Sequence, residues 1–178
     1  MKNKFLAALL AGASLLTMTA CGGNSDKENA DSSEVALDSF YAGLAEEYHW
    51  TEDAAASEAD ELLLSNIEGE MLDSYYPGLS EIATKQLVAK APLMSAVVNE
   101  VVFLQCETDE DADKAAEILQ KRIDYQVGDE TNPGGAWYPE SIESWKQAQV
   151  IREGTYVAMI ASAEHQADIV EKFQQQFQ

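Results

Sequence analysis

VVNEVVFLQCETDEDADKAAEILQKRIDYQVG, residues 97–128, holds a strand and a long helix in succession. Val101 to Leu104 is apolar on both faces, so the strand over 97–106 belongs in the middle of a sheet. Cys106 closes it and reads as a small buried hydrophobe rather than a nucleophile. Thr108 is placed to cap the helix that follows, with Asp111 three residues on in the manner of a capping box. Ala112, Ala115, Ala116, Leu119 and Ile123 recur at helical spacing and form its buried stripe. The helix runs to about Val127, and Gly128 stops it.

Working outward, residues 129–138 (DETNPGGAWY) form a loop carrying Pro133, Gly134 and Gly135 and then two aromatics. Pro139 at a first helical position opens a short helix to about residue 148. Residues 149–153 and 155–161 read as a strand pair turned at Gly154. Ser162 is the expected cap of a final helix with Ala163, Ala167, Val170, Phe173 and Phe177 inward. Upstream, residues 86–90 read as a strand ended by Pro92. Residues 70–76 form a helical turn stopped by Pro77-Gly78. Ser80 is placed to cap a further short helix. Residues 51–66 fit helix or strand equally well. Over 34–50, Leu37, Phe40, Tyr41, Leu44 and Tyr48 make one helical stripe.

The order strand, strand, helix thus occurs twice. It predicts an α+β fold with about four strands, mostly antiparallel, and with the long helices packed on one face. The segment from Cys106 to Asp113 can be laid over that from Ala161 to Asp168, a hint of a repeat. The central strands also need cover on the other face. The helix over 34–50 or a second copy of the chain meets that need.

Residues 1–20 read as an export signal: Lys2 and Lys4, then an apolar run from Phe5 to Met18 shorter than the roughly 20 residues of a membrane span. Met18-Thr19-Ala20-Cys21 resembles the lipobox of bacterial lipoproteins, with Met18 departing from the usual Leu. That resemblance implies lipidation of Cys21 and palmitate-type acyl chains in the membrane. Two such chains give lasting attachment where one gives marginal binding. Residues 22–33 are small and polar and form a tether, reaching roughly 20 Å. Residues 34–178 then make one domain.

The chain has 32 acidic and 11 basic residues and a net charge of −21. So acidic a surface excludes nucleic acid as a natural partner and suits solubility outside the cell. With Cys21 lipidated, Cys106 has no partner, so no disulfide framework is available.

Tyr76-Pro-Gly-Leu79, Asn99-Glu100-Val101-Val102, Lys121-Arg122, Trp137-Tyr138-Pro139-Glu140 and Gly154-Thr-Tyr156-Val157, in that order and followed by an amphipathic helix, span residues 71–177. Together they resemble domain-of-unknown-function family 4358, with Pro77 departing from the usual residue after the tyrosine. The resemblance implies a lipoprotein on the outer face of the cell membrane, as in low-GC Gram-positive bacteria. It supplies no activity, substrate or catalytic residue.

No catalytic constellation emerges. Asp109, Asp111 and Asp113 alternate as in a calcium loop, but Lys114 and Gln120 stand where glycine and glutamate are needed. His49, His165 and Cys106 are too dispersed for zinc. No serine lies in a nucleophile-elbow setting, and residues 132–136 lack the lysine of a phosphate loop. No cofactor or metal is expected. The loop bearing Trp137 and Tyr138 is the candidate binding element, since aromatic rings carry contact area at little entropic cost. Arg122 is the candidate partner for an anionic group. The expectation is a membrane-anchored, extracytoplasmic binding module engaging an envelope protein or wall component. The alternatives are an enzyme acting on envelope polymers and a small solute-binding lipoprotein.

Overall fold

The computed structural model describes residues 34–55, 58–94 and 96–178. The export signal, Cys21 and the tether lie outside the described residues. The described chain folds as one unit in which a sheet carries helices on both faces.

The order is α1 (Leu37–Glu47), β1 (Trp50–Thr51), β2 (Leu62–Asn66), α2 (Glu70–Tyr75), a 3-10 turn (Leu79–Glu81), β3 (Thr84–Pro92), β4 (Asn99–Cys106), α3 (Asp109–Val127), α4 (Pro139–Gln147), β5 (Gln149–Glu153), β6 (Tyr156–Ser162) and α5 (Gln166–Gln175). The expectation of four strands in two strand-strand-helix units is therefore corrected. The sheet has six strands in the order β1-β2-β3-β4-β6-β5. It is mixed: β1 runs parallel to β2, and the other pairs are antiparallel. The two extra strands come from the ambiguous segment. β2 pairs with β3 through Leu64, Ser65 and Asn66, and Trp50-Thr51, expected at the end of a helix, pairs with Leu62 and Leu63.

β4 lies between β3 and β6, and all eight of its residues are buried, as its two-sided apolar pattern requires. Alternation sends Val102, Leu104 and Cys106 to one face and Val101 and Phe103 to the other. The register continues this across the sheet: Val102 faces Met159 and Ala89, and Phe103 faces Ala158 and Val88.

Helix α3 starts where expected, with the Thr108 hydroxyl accepting from the Asp111 amide at 3.1 Å. Its buried residues Ala112, Ala115, Leu119 and Ile123 cover the Val102 face, joined by Trp145 of α4. The long helices do not share that face. α5 packs on the other one, beside α1, through Ile169 and Phe173. Ser162 belongs to β6, and its hydroxyl accepts from the His165 amide, so it shapes the turn rather than capping the helix. The buried stripe of α5 shifts accordingly, leaving Ala163 and Ala167 exposed.

That placement also rules out the repeat. The two-fold rotation that exchanges antiparallel neighbours β4 and β6 runs along the sheet normal, and it would keep both helices on one face. Here they lie on opposite faces, because a sheet apolar on both sides needs two covers. Phe103, Phe173, Phe40 and Phe177 interlock on the α1/α5 side, with ring centroids 5.1–5.9 Å apart between partners. Full burial of Phe103 and of Phe173 contributes about 1.5–3 kcal/mol each.

Candidate functional site

Two ends of the sheet differ. At the end where β4 terminates, the chain enters the domain: the Val35 amide donates to the Tyr156 hydroxyl at 3.0 Å, and Gln86 bonds both the Val35 carbonyl and the Leu37 amide at 2.9 Å. At the other end, roughly 25 Å away along β4 at 3.3 Å per residue, lie the β3–β4 connection and the loop after α3.

That loop is pinned. Gly128 turns at φ +70°, and its amide donates to the Asp124 carbonyl. Asp129 accepts from the Thr131 hydroxyl, the Thr131 amide and the Asn132 amide, and those bonds hold its carboxyl below the usual range. Gly135 and Ala136 then donate back to the carbonyls of Tyr125 and Gln126 at 2.8 and 3.1 Å. Only glycine fits at Gly134, where a Cβ would stand 2.3 Å from the Gln126 carbonyl oxygen. The Ser141 hydroxyl ties α4 to the Ala96 carbonyl at 3.2 Å. From this fixed base Trp137 projects with 88% of its surface exposed, and Tyr138, Leu93 and Met94 are exposed as well.

Arg122 points the other way, into the domain. Its Nε and Nη2 donate to the two carboxylate oxygens of Glu100, each at 2.8 Å. Both side chains are nearly dry, at 11% and 5% exposure. The buried Tyr76 hydroxyl donates to the same Glu100 at 2.7 Å. Burial, and then the Glu100 charge, hold that phenol well above its ordinary range. The guanidinium lies 4.3 Å from the Tyr75 ring centre and 5.7 Å from that of Trp145. Burial works against its charge, yet the Glu100 hydrogen bonds and charge, with Tyr76 and Tyr75, together hold the guanidinium above its usual range. A fork-to-fork pair of this kind fixes orientation as well as charge. Three of the positions that carry the family resemblance, Tyr76, Glu100 and Arg122, thus meet in one cluster.

Over this cluster opens a cleft of about 630 Å³ between residues 74–77 and the outer side of α3, lined by Tyr75, Ile118, Lys121, Tyr125 and Gln126 and closed by Gly135. The structure therefore separates the predicted residues. Trp137 and Tyr138 form an exposed end face, and Arg122 lies beneath the cleft. Glu100, Tyr76 and Lys121 were missed as site residues. A carboxylate at the start of an otherwise apolar strand was the available signal, since a buried charge requires a partner.

The remaining candidates are occupied by structure. Asp109 and Asp113 pair with Arg152 at 2.8 and 3.3 Å. Burial first, then Asp111, pushes the Cys106 thiol up to about 11, so it stays protonated at neutral pH. Among the described residues no three His, Cys, Asp or Glu side chains gather to hold a metal. Nor is any described helix long and apolar enough to cross a membrane.

Among known families, the model described as Domain of unknown function (DUF4358) matches residues 57–162, from just before β2 to the end of β6. No curated protein and no solved structure matches the chain.

Proposed function

The chain belongs to the DUF4358 family, and on that premise we propose that it is a lipid-anchored binding module of the cell envelope. Cys21 holds it to the outer face of the membrane, and it engages an envelope protein or wall component without transforming it. The observation that carries this reading is Trp137: a large apolar ring, almost wholly exposed, on a loop fixed by backbone hydrogen bonds. A soluble domain gains nothing from such a ring unless something covers it. The ring also stands at the end of the sheet remote from residue 34, where the tether joins the domain.

In-cell crosslinking of the native protein tests the reading, with recovered partners identified by mass spectrometry. One reproducible partner is expected, lost when Trp137 and Tyr138 are both changed to Ala in a protein that still folds. Self-crosslinks alone, or a partner kept by that variant, would overturn the assignment of this face. The anchor has a separate test. Cys21→Ala is expected to leave the membrane fraction under a high-salt wash, and retention there refutes lipidation.

A further inference from the structure

We propose that the cleft between residues 74–77 and α3 binds a small ligand carrying a carboxylate on a flat ring, with Lys121 as charge partner and Tyr75 and Tyr125 as walls.

The first argument is the local reversal of charge. The chain carries 32 acids against 11 bases. The cleft lining nevertheless holds Lys121 and Arg122 and no Asp or Glu. A neighbouring cleft on the same helix, lined by Asp124 and Asp129, shows the ordinary composition.

The second argument is the state of the two cations. Arg122 commits Nε and Nη2 to Glu100. Lys121 forms no ion pair among the described residues, not even with Glu117 one turn before it; Lys85 on the surface of β3 is the other unpaired lysine among them, whereas Lys90, Lys114, Lys146 and Lys172 all pair. The cleft thus offers one unmatched ammonium beside a neutralised pair. One unmatched ammonium supplies a single positive charge, which a monocarboxylate balances and a phosphate dianion exceeds.

The third argument is preorganisation. The Tyr125 backbone is fixed by the Gly135 amide at 2.8 Å, and its ring, exposed on the outer side, lies against Gly135, where a Cβ would stand 2.6 Å from it. Tyr75 lies against the Arg122 guanidinium at 4.3 Å. Two rings set before the ligand arrives favour a flat partner and reduce the ordering cost of binding. A volume of about 630 Å³ is in the range of small-molecule sites.

The test is saturation-transfer NMR on the purified full-length protein, with two probe pairs that differ in a carboxylate. They are benzoate against benzamide and 4-hydroxybenzoate against 4-hydroxybenzamide. At least one acid is expected to bind with its neutral counterpart at least tenfold weaker. Lys121→Gln should weaken the acid by a similar factor, Lys121→Arg should retain it, and neither should move Tm, since Lys121 is exposed. Equal binding of acid and neutral probe overturns the proposal. So does unchanged binding in Lys121→Gln, or no binding of either acid up to about 10 mM. Both variants leave Trp137 and Tyr138 intact, so either result stands apart from the crosslinking test of the end face.

Discussion

The two faces of the sheet are covered by different means. On the α3/α4 face a polar cluster lies within the apolar packing: Arg122 of α3 grips Glu100 of β4, with Tyr76 on the same carboxylate. The α1/α5 face is aromatic, with Phe40, Phe103 and Phe173 in mutual contact and Phe177 against Phe173. The family-matched segment, 57–162, contains the whole of the first cover and neither helix of the second. Aromatic packing tolerates repacking if volume is kept, whereas a charged fork has one geometry. The difference teaches that one face is defined by position and the other by bulk.

The largest test of that contrast is to remove residues 163–178. Without α5 the Phe103 face lies bare, and cooperative thermal unfolding is expected to vanish. Retention of a sharp transition would mean that α1 covers the face alone. Phe173→Ala should next cost about 3–5 kcal/mol in urea denaturation, from lost transfer energy plus a cavity. Arg122→Ala should cost a similar amount, about 3–5 kcal/mol, because it strands the Glu100 carboxylate in a dry site. The two losses separate on rescue. Combining Arg122→Met, Glu100→Leu and Tyr76→Phe is expected to recover most of the stability, since an apolar cluster replaces a buried ionic one at little cost and no hydroxyl is left stranded. If it does not, the pair does more than satisfy itself. Arg152→Ala is the exposed counterpart. Its pairs with Asp109 and Asp113 lie in solvent, so about 0.2–1 kcal/mol should be lost, and less in high salt. The smallest effect belongs to Trp137→Ala, expected within about 0.5 kcal/mol of the parent because its ring touches so little. A larger loss there would place the ring in the fold rather than at a binding face.

Elements with strong local signals were legible in the sequence. The two-sided apolar run of β4, the Thr108 cap and the Gly128 stop of α3, and Pro139 opening α4 were placed to within one or two residues. β1 was not, because a two-residue strand exists only through its pairing with β2, and nothing local marks that partner. The face chosen by α5 was equally hidden. An amphipathic stripe says that a helix packs, and not on which side of a sheet apolar on both. The Tyr76–Glu100–Arg122 cluster joins three positions distant in sequence, so only folding brings them together. The Trp137 loop was legible as a loop. That it is fastened to α3 by its own backbone was not, since those bonds depend on the end of a helix whose position the loop does not encode.

The bonds at the domain's entry carry a mechanical consequence. Val35 is tied to Tyr156 of β6 and to Gln86 of β3, and Gln86 also holds Leu37. A pull applied at residue 34 is therefore divided between two strands that flank β4 before α1 itself is loaded. Three hydrogen bonds, to two different strands, share the load at the start of the helix.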